Sequence, residues 1–136
     1  MKVLVLDDNP YRHATFAKTF VDHEVTHVTH ALKCIDIIQA ERFDVIHLDH
    51  DLGDFEDEHG SADYWVDGWG SRREYNGQNV ASEIASLPAH MCPGEVVVHS
   101  VNPEGARRMV SIIAAAGIPV TWQPFGDTAE SYEGIT

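Results

Sequence analysis

The sequence predicts an α/β domain built on a doubly wound, five-stranded parallel sheet. Short apolar runs rich in Val and Leu recur along the chain, and segments with apolar residues at helical spacing separate them. Parallel strands that are covered on both faces have this near-continuous apolar character, and alternation with helices indicates βαβ units. At 136 residues, the chain fits a single domain over residues 1–136.

The first half of the chain alternates regularly between strands and helices. Asn9 and Pro10 supply an N-cap and a first-turn proline for the first helix. Leu32, Ile35 and Ile38 lie at helical spacing in the second helix. In chain order, the predicted elements are a strand at 2–7, a helix near 10–21, a strand at 24–30, a helix at 31–41 and a strand at 43–49.

The second half continues the alternation after a longer connection. Val80, Ile84 and Leu87 share one face of a helix that Pro88 stops. Gly117 is the predicted end of the last helix. In chain order, the predicted elements are a helix near 77–87, a strand at 95–100, a helix at 104–116 and a strand at 118–122.

Two segments depart from this pattern. Residues 53–75 have no clear periodicity and are interpreted either as a disordered loop or as an ordered flap inserted after the third strand. Tyr64, Trp65 and Trp69 favour the flap, because large aromatic side chains are rare in disordered segments. The segment after the fifth strand is too short for a full covering helix. The final helix is therefore predicted to be short or missing, and the sheet face it leaves to be exposed or buried in a homodimer.

Composition excludes several classes of function. Nine Lys and Arg against 22 Asp and Glu leave a formal charge of −13, which argues against binding duplex nucleic acid or anionic membranes through bulk electrostatics. Two cysteines without a C-x-x-C pair argue against a disulfide framework or a cysteine zinc site. No apolar stretch is long enough to span a bilayer, so we expect a cytoplasmic protein.

Polar residues cluster where the predicted strands end. The carboxyl ends of parallel strands converge in such a fold, so these residues are expected to line one pocket. They are Asp7 and Asp8 after strand one, Asp49, His50 and Asp51 after strand three, His99 and Ser100 after strand four, and Gln123 after strand five.

The carboxylates of this set predict a metal site. Asp7, Asp8, Asp49 and Asp51 offer the hard oxygen ligands that suit Mg²⁺ or Mn²⁺. A histidine ligand from the same set would shift the preference toward Mn²⁺ or Zn²⁺. A bound cation would also offset the negative charge of the pocket.

These positions resemble the receiver domain of response regulators, which has the CheY-like, flavodoxin-like fold. That family has an acidic pair after strand one, a phosphoryl-accepting aspartate ending strand three, Ser or Thr ending strand four, and Lys-Pro-Phe after strand five. The matching residues here are Asp7, Asp8, Asp49, Ser100 and QPF at 123–125. Gln123 stands where receivers have the lysine, and a neutral amide can hydrogen-bond a phosphoryl oxygen but cannot neutralise it. A stable phosphoryl switch on Asp49 is therefore disfavoured.

Three motifs are similar to those of a receiver-related group named for cyclic-phosphate processing. That group shares LDD…R, LDHDLG and HS.NP.G. In this sequence they correspond to Asp7, Asp8 and Arg12, to residues 48–53, and to His99, Ser100, Asn102, Pro103 and Gly105. The resemblance implies that a small nucleotide or cyclic phosphate is the ligand.

We therefore expect a metal-dependent phosphoesterase acting on a cyclic nucleotide or another small phosphodiester. Hydrolysis needs a proton for the leaving oxygen, and His50 or His99 is the candidate for that transfer, near Asp49 and Ser100. The candidate phosphate ligands are Arg12, Asn102, Gln123 and, in the flap, Arg72 and Arg73. Two alternatives are a divergent receiver phosphorylated on Asp49 and a non-catalytic module that binds a nucleotide or a protein.

The other histidines are interpreted as structural. His47, inside the third strand, is expected to be a hydrogen-bonded core residue. The remaining ones are expected on the surface or in the core: His13, His23, His27, His30 and His90.

Overall fold

A parallel sheet organises the computed structural model, which describes residues 1–52, 64–66, 68–70 and 72–124. In chain order the elements are β1 (Lys2–Leu6), α1 (Pro10–Thr19), β2 (Glu24–Val28), α2 (Ala31–Ala40), β3 (Val45–Leu48), β4 (Tyr64–Val66), β5 (Arg72–Glu74), α3 (Gly77–Ala85), a 3₁₀ turn (Ala89–Met91), β6 (Glu95–Val98), α4 (Pro103–Ala115) and β7 (Val120–Trp122). Five of the strands form a parallel sheet in the order β2-β1-β3-β6-β7. The predicted doubly wound fold is confirmed. None of the helices in the described ranges is long and apolar enough to cross a membrane.

The sheet has an apolar layer on each face. Alternate residues of a strand point to opposite faces, so β1 places Leu4 and Leu6 in one layer and Val3 and Val5 in the other. The first layer is covered by α2, α3 and α4, and Phe16 of α1 packs in the second. Residues 125–136 lie outside the described ranges, so the short final helix and the homodimer both stay predictions.

The core face of α2 differs from the one expected. Ala31, Cys34 and Ile38 are buried, with Ile35 packed beside them, whereas Leu32 is 41% exposed. The spacing of Ala31, Cys34 and Ile38 is also helical, so these residues form an alternative core stripe on α2. The prediction that Leu32 lies on the core face of α2 was therefore wrong.

Part of the insertion after β3 is ordered as a hairpin. β4 and β5 pair antiparallel, with Tyr64 opposite Glu74 and Val66 opposite Arg72. Trp69, between the two strands, is 93% exposed. Residues 53–63 lie outside the described ranges. The backbone of the two paired strands agrees with the flap interpretation at residues 64–66 and 72–74.

His47 is buried at the centre of the sheet without the expected hydrogen bond. Its ring lies 4.9 Å from that of Phe16 and 5.2 Å from that of Phe20, centroid to centroid. Neither ring nitrogen has a hydrogen-bond partner among the described residues. Burial and the nearby His99 lower the pKa of His47 to about 3, so the ring stays neutral in the folded protein.

Replacing His47 with leucine should stabilise the protein. Burying unsatisfied polar groups costs about 1–3 kcal/mol, so His47→Leu should raise the free energy of unfolding at pH 7 by that order. The unfolded chain binds a proton at His47 below about pH 6.5 and the folded protein does not until about pH 3. Stability is therefore lost as pH falls through this interval, and His47→Leu should reduce that loss. Urea unfolding at pH 7 and pH 4.5 measures both effects.

His47→Ala is the contrasting variant, because it removes the same polar group but leaves a cavity. It should lower the free energy of unfolding at pH 7. A loss of stability in both variants would mean that the imidazole contributes packing that leucine cannot replace.

Candidate functional site

The carboxyl edge of the sheet brings three acidic side chains together. Asp7 and Asp8 follow β1, and Asp49 follows the neighbouring strand β3. The ladder continues past the strand ends, because Asp49 N donates to Leu6 O (3.0 Å) and Asp7 N donates to Val28 O (3.0 Å). All three carboxylates are buried, and one oxygen of each lies within 4.8 Å of the others. Three convergent carboxylates are a donor set that fits a hard divalent cation.

Asp7 has a full set of hydrogen-bond donors. Its Oδ1 accepts from Asn9 N (2.8 Å) and Arg12 Nη2 (2.9 Å). Its Oδ2 accepts from Arg12 Nε (2.7 Å) and His99 Nε2 (2.8 Å). Burial alone would raise the pKa of Asp7, but the hydrogen bonds from His99 and Arg12 outweigh it and lower the pKa to about 2. Asp7 therefore stays ionised and orients its neighbours.

One guanidinium contacts all three carboxylates. Arg12 lies in the first turn of α1, where Asn9 caps the helix by accepting from Tyr11 N (2.9 Å). Besides its contacts with Asp7, Arg12 Nη2 lies 3.3 Å from Asp49 Oδ2 and 3.7 Å from Asp8 Oδ1. The sequence suggested Arg12 as a phosphate ligand. In the structure it binds the acidic cluster, and its role as a phosphate ligand stays a prediction.

Asp49 has the opposite electrostatic environment from Asp7. Burial and then the charge of Asp7 raise its pKa to about 8, with Asp8 adding to the rise. Arg12 and the hydrogen bond from His50 N (2.9 Å) oppose the rise without cancelling it. Asp49 is therefore largely protonated at pH 7 when no cation offsets the cluster.

We expect binding of Mg²⁺ or Mn²⁺ to release a proton near neutral pH. The proton on Asp49 must leave before the carboxylate can bind a cation, so the affinity should rise about tenfold per pH unit below pH 8 and level off above it. Calorimetry at pH 7 in two buffers with different ionisation enthalpies measures the released proton. An affinity that is constant from pH 6 to pH 9 would place the cation away from Asp49.

His99 is buried against the acidic cluster. Its ring is fully buried, 5.3 Å from the ring of Phe16 between centroids, and its Nε2 donates to Asp7 Oδ2. A group that solvent cannot reach has no path for exchanging a proton with a ligand. The assignment of His99 to proton transfer stays a prediction, and the bond from His99 to Asp7 Oδ2 positions that carboxylate.

Ser100 is buried just after β6, and no acceptor for its hydroxyl proton lies among the described residues. Its Oγ accepts from Asn102 N (3.1 Å), and its carbonyl oxygen accepts from Trp122 Nε1 (2.8 Å). A hydroxyl that accepts one hydrogen bond can still donate another. Ser100 therefore retains a donor for a phosphoryl oxygen.

His50 and Asp51 form a hydrogen-bonded pair against the first turn of α4. His50 Nδ1 donates to Asp51 Oδ1 (2.8 Å), which leaves Nε2 as the second polar atom of the ring. Asn102 Nδ2 lies 3.4 Å from both oxygens of Asp51, and Asn102 Oδ1 caps α4 by accepting from Gly105 N (3.0 Å). A Cβ at Gly105 would lie 2.5 Å from His50 Cγ, so the ring occupies space that only glycine leaves.

Two residues of this group were predicted to bind metal or substrate, and both assignments stay predictions. Asp51 was predicted as a metal ligand, but its carboxylate is 51% exposed, contacts His50 and Asn102, and lies outside the group formed by the three buried aspartates. Asn102 was predicted to bind substrate, but its side-chain oxygen caps α4 and its amide faces Asp51. Both residues position His50 in the described structure.

Gly77 fixes the backbone of Asp49 and His50, and the sequence analysis did not identify it. Gly77 N donates to His50 O (2.9 Å), and a Cβ at this position would overlap the carbonyl oxygen of Asp49. Its signal in the sequence is the Asn-Gly pair that begins α3, where Asn76 is the N-cap. A glycine directly after a capping residue can indicate close approach of another backbone.

His13 was also expected to be only structural, yet it contacts the cluster backbone. Its Nε2 donates to Asp7 O (2.6 Å), and its Nδ1 lies 2.7 Å from His27 Nδ1. No spacing rule would have predicted the pairing, because it joins a helix to an edge strand.

The remaining candidates lie at the edge of the site or beyond the described atoms. Gln123 N donates to Val98 O (2.8 Å), which brings Gln123 to the same edge of the sheet as the acidic cluster. Arg72 and Arg73 lie on β5, and their side chains are outside the described part of the structure.

Comparison with known families identifies the chain. Residues 1–115 match the model of the cyclic-phosphate processing receiver domain. This chain belongs to that family. The resemblance inferred from the LDD…R, LDHDLG and HS.NP.G motifs is thereby confirmed. A search of curated proteins found no match.

Solved structures similar to this member of the cyclic-phosphate processing receiver family are receiver domains. A CheY-like receiver from Methylobacillus flagellatus has a TM-score of 0.66 at 12% identity, with 99% of this chain and 94% of the other covered. A Mg²⁺-bound receiver of a Pseudomonas aeruginosa PAO1 sensor histidine kinase has a TM-score of 0.63 at 16% identity, with 98% of this chain and 92% of the other covered. A phosphorylated response regulator from Burkholderia pseudomallei has a TM-score of 0.62 at 17% identity. The match covers 96% of this chain but only 62% of the regulator. At these identities the likeness shows the fold.

Proposed function

We propose that this protein is a metal-dependent phosphoesterase that hydrolyses a cyclic nucleotide or another small phosphodiester. The observation that carries the proposal is a buried trio of carboxylates, Asp7, Asp8 and Asp49, next to a histidine that a carboxylate orients. The family name points to the same substrate class. Mg²⁺ lies in the active-site cleft of the Pseudomonas receiver, and response regulator Rcp1 has a Mn²⁺-bound form.

The donor set favours Mg²⁺ or Mn²⁺ over Zn²⁺. The described group contains only carboxylates, and His99 bonds to Asp7 instead of joining it. Carboxylate oxygens suit the harder cations, whereas zinc sites usually include nitrogen or sulfur ligands. When bound, such a cation supplies Lewis-acid polarisation of the phosphoryl group and lowers the pKa of a bound water.

The residues of the chain supply the proton transfer and the anion contacts. His50 accepts or donates a proton at Nε2, and Asp51 fixes the tautomer by accepting from Nδ1. Ser100 Oγ donates to a phosphoryl oxygen, and Gln123 offers an uncharged amide at the same edge. Arg72 and Arg73 on β5 are proposed as further phosphate ligands.

A direct assay tests this function. The purified protein is incubated with Mg²⁺, Mn²⁺ or Zn²⁺ against 2′,3′- and 3′,5′-cyclic nucleotides, and the products are identified by mass. We expect linear nucleotide monophosphate with Mg²⁺ or Mn²⁺ and none with EDTA. Absence of product with every metal and nucleotide would overturn the proposal.

A divergent receiver is the second candidate, because Asp49 ends β3 at the position where receivers accept phosphate. The same preparation treated with acetyl phosphate and Mg²⁺ distinguishes the two. With Gln123 in place of the receiver lysine, we expect no long-lived phosphoryl group on Asp49 in the intact-mass spectrum. A stable adduct that Asp49→Asn removes would favour the receiver function over hydrolysis.

A further inference from the structure

Arg12 occupies the centre of the site where a divalent cation would bind. Its Nη2 is 2.9 Å from Asp7 Oδ1, 3.3 Å from Asp49 Oδ2 and 3.7 Å from Asp8 Oδ1. With all three carboxylates ionised, the guanidinium reduces the local charge from −3 to −2. Arg12 and a metal ion therefore compete for the same oxygens.

Among the described donors to Asp7, Arg12 is the one that reaches the carboxylate through a long side chain with partial solvent exposure. Of the groups that bond to Asp7, Asn9 contributes a backbone N–H at the start of α1 and His99 a fully buried ring. The Arg12 side chain is 18% exposed and reaches the cluster through a flexible stem. A cation that approaches Asp7 or Asp49 can displace the guanidinium without disturbing the sheet.

We propose that Arg12 is a built-in counter-cation that releases Asp49 when the metal binds and then binds the phosphate of the ligand. The inference rests on the proposed function and concerns how the same site responds to its ligands. The metal-free protein holds the guanidinium on the carboxylates. Metal entry releases it beside the cation, where its planar donors match phosphate oxygens. Metal binding and anion binding are thereby coupled through one side chain.

The test compares Arg12→Gln and Arg12→Lys with the parental protein in two titrations. Mg²⁺ is titrated by calorimetry at pH 9, above the pKa of Asp49, and inorganic phosphate is then titrated at saturating Mg²⁺. Arg12→Gln should bind Mg²⁺ at least about tenfold more tightly, because a cation no longer repels it, and should bind phosphate at least about tenfold more weakly. Both affinities of Arg12→Lys should lie between those of Arg12→Gln and the parental protein. Arg42→Gln is the control, because Arg42 pairs with Asp44 on the surface and should leave both affinities unchanged.

The opposite direction of the two changes separates this role from a structural one. If Arg12 only maintained the shape of the site, both affinities would fall together in Arg12→Gln, and that result would overturn the inference. Unchanged Mg²⁺ affinity would overturn it as well, while leaving the phosphoesterase proposal intact if product still forms. Unchanged phosphate affinity in Arg12→Gln would overturn the part of the inference in which Arg12 binds the phosphate. Absence of Mg²⁺ binding by the parental protein would overturn the inference, whereas the proposed function is overturned only if no product forms with any of the three metals.

Discussion

Asp49→Asn should abolish both metal binding and turnover. The substitution removes one of three convergent carboxylates and leaves an amide, which is a poor ligand for Mg²⁺ in a cluster already neutralised in part by Arg12. The parental protein should show a rise in melting temperature on the order of 10 °C at a metal concentration about a hundred times Kd. In Asp49→Asn that rise should disappear, which differential scanning fluorimetry measures.

Without metal, Asp49→Asn should be at least as stable as the parental protein above pH 8. The folded-state pKa of Asp49 is raised to about 8, so the ionised carboxylate destabilises the fold, and this cost grows as pH rises from about 4 to 8. A neutral amide avoids the cost. Asp44→Asn, at an exposed carboxylate outside the cluster, should leave the metal response unchanged. A full response to metal in Asp49→Asn would exclude the acidic cluster as the cation site.

The fold could be predicted because its signals are local. The buried runs of β1, β3 and β6, the Asn-Pro helix starts and the glycine after α4 each have a direct physical cause in short sequence stretches. The convergence of Asp7, Asp8 and Asp49 followed from that fold, since strand ends of a parallel sheet meet at one edge. The core face of α2 was harder to predict, because Leu32 and Ala31 both fit a helical stripe and only packing decides between them.

The internal partners within the site could not be predicted from spacing. A side chain at a strand end can turn toward the pocket or away from it, and the sequence left that choice open for His50 and His99. Contacts over long separations decide it, such as the bond from His99 to Asp7 and the space that Gly105 leaves for the His50 ring. The contacts of Arg12 with the acidic cluster were not predicted for a related reason. Its position in the first helical turn shows that it is near the site, but not which anion it binds.

His50→Ala should lower turnover by roughly 10²- to 10⁴-fold while the metal-induced rise in melting temperature survives. General acid–base catalysis typically contributes this factor, and His50 does not belong to the carboxylate group that fits the metal. The measurement is kcat on the cyclic nucleotide that the assay identifies, together with fluorimetry in the presence of Mg²⁺. His90→Ala removes a histidine from the exposed 3₁₀ turn and should have no effect on either quantity.

Two neighbouring variants test whether the orientation of the ring matters as well as its presence. Asp51→Ala removes the acceptor for Nδ1–H and should lower kcat by less than His50→Ala, because the imidazole remains but its tautomer is no longer fixed. Gly105→Ala places a methyl group 2.5 Å from the ring atoms and should displace it, giving a loss of kcat closer to that of His50→Ala. If His99→Ala loses turnover with metal binding intact and His50→Ala does not, the proton donor is His99. If both variants retain the parental rate, no histidine transfers the proton, and a metal-bound water becomes the remaining source.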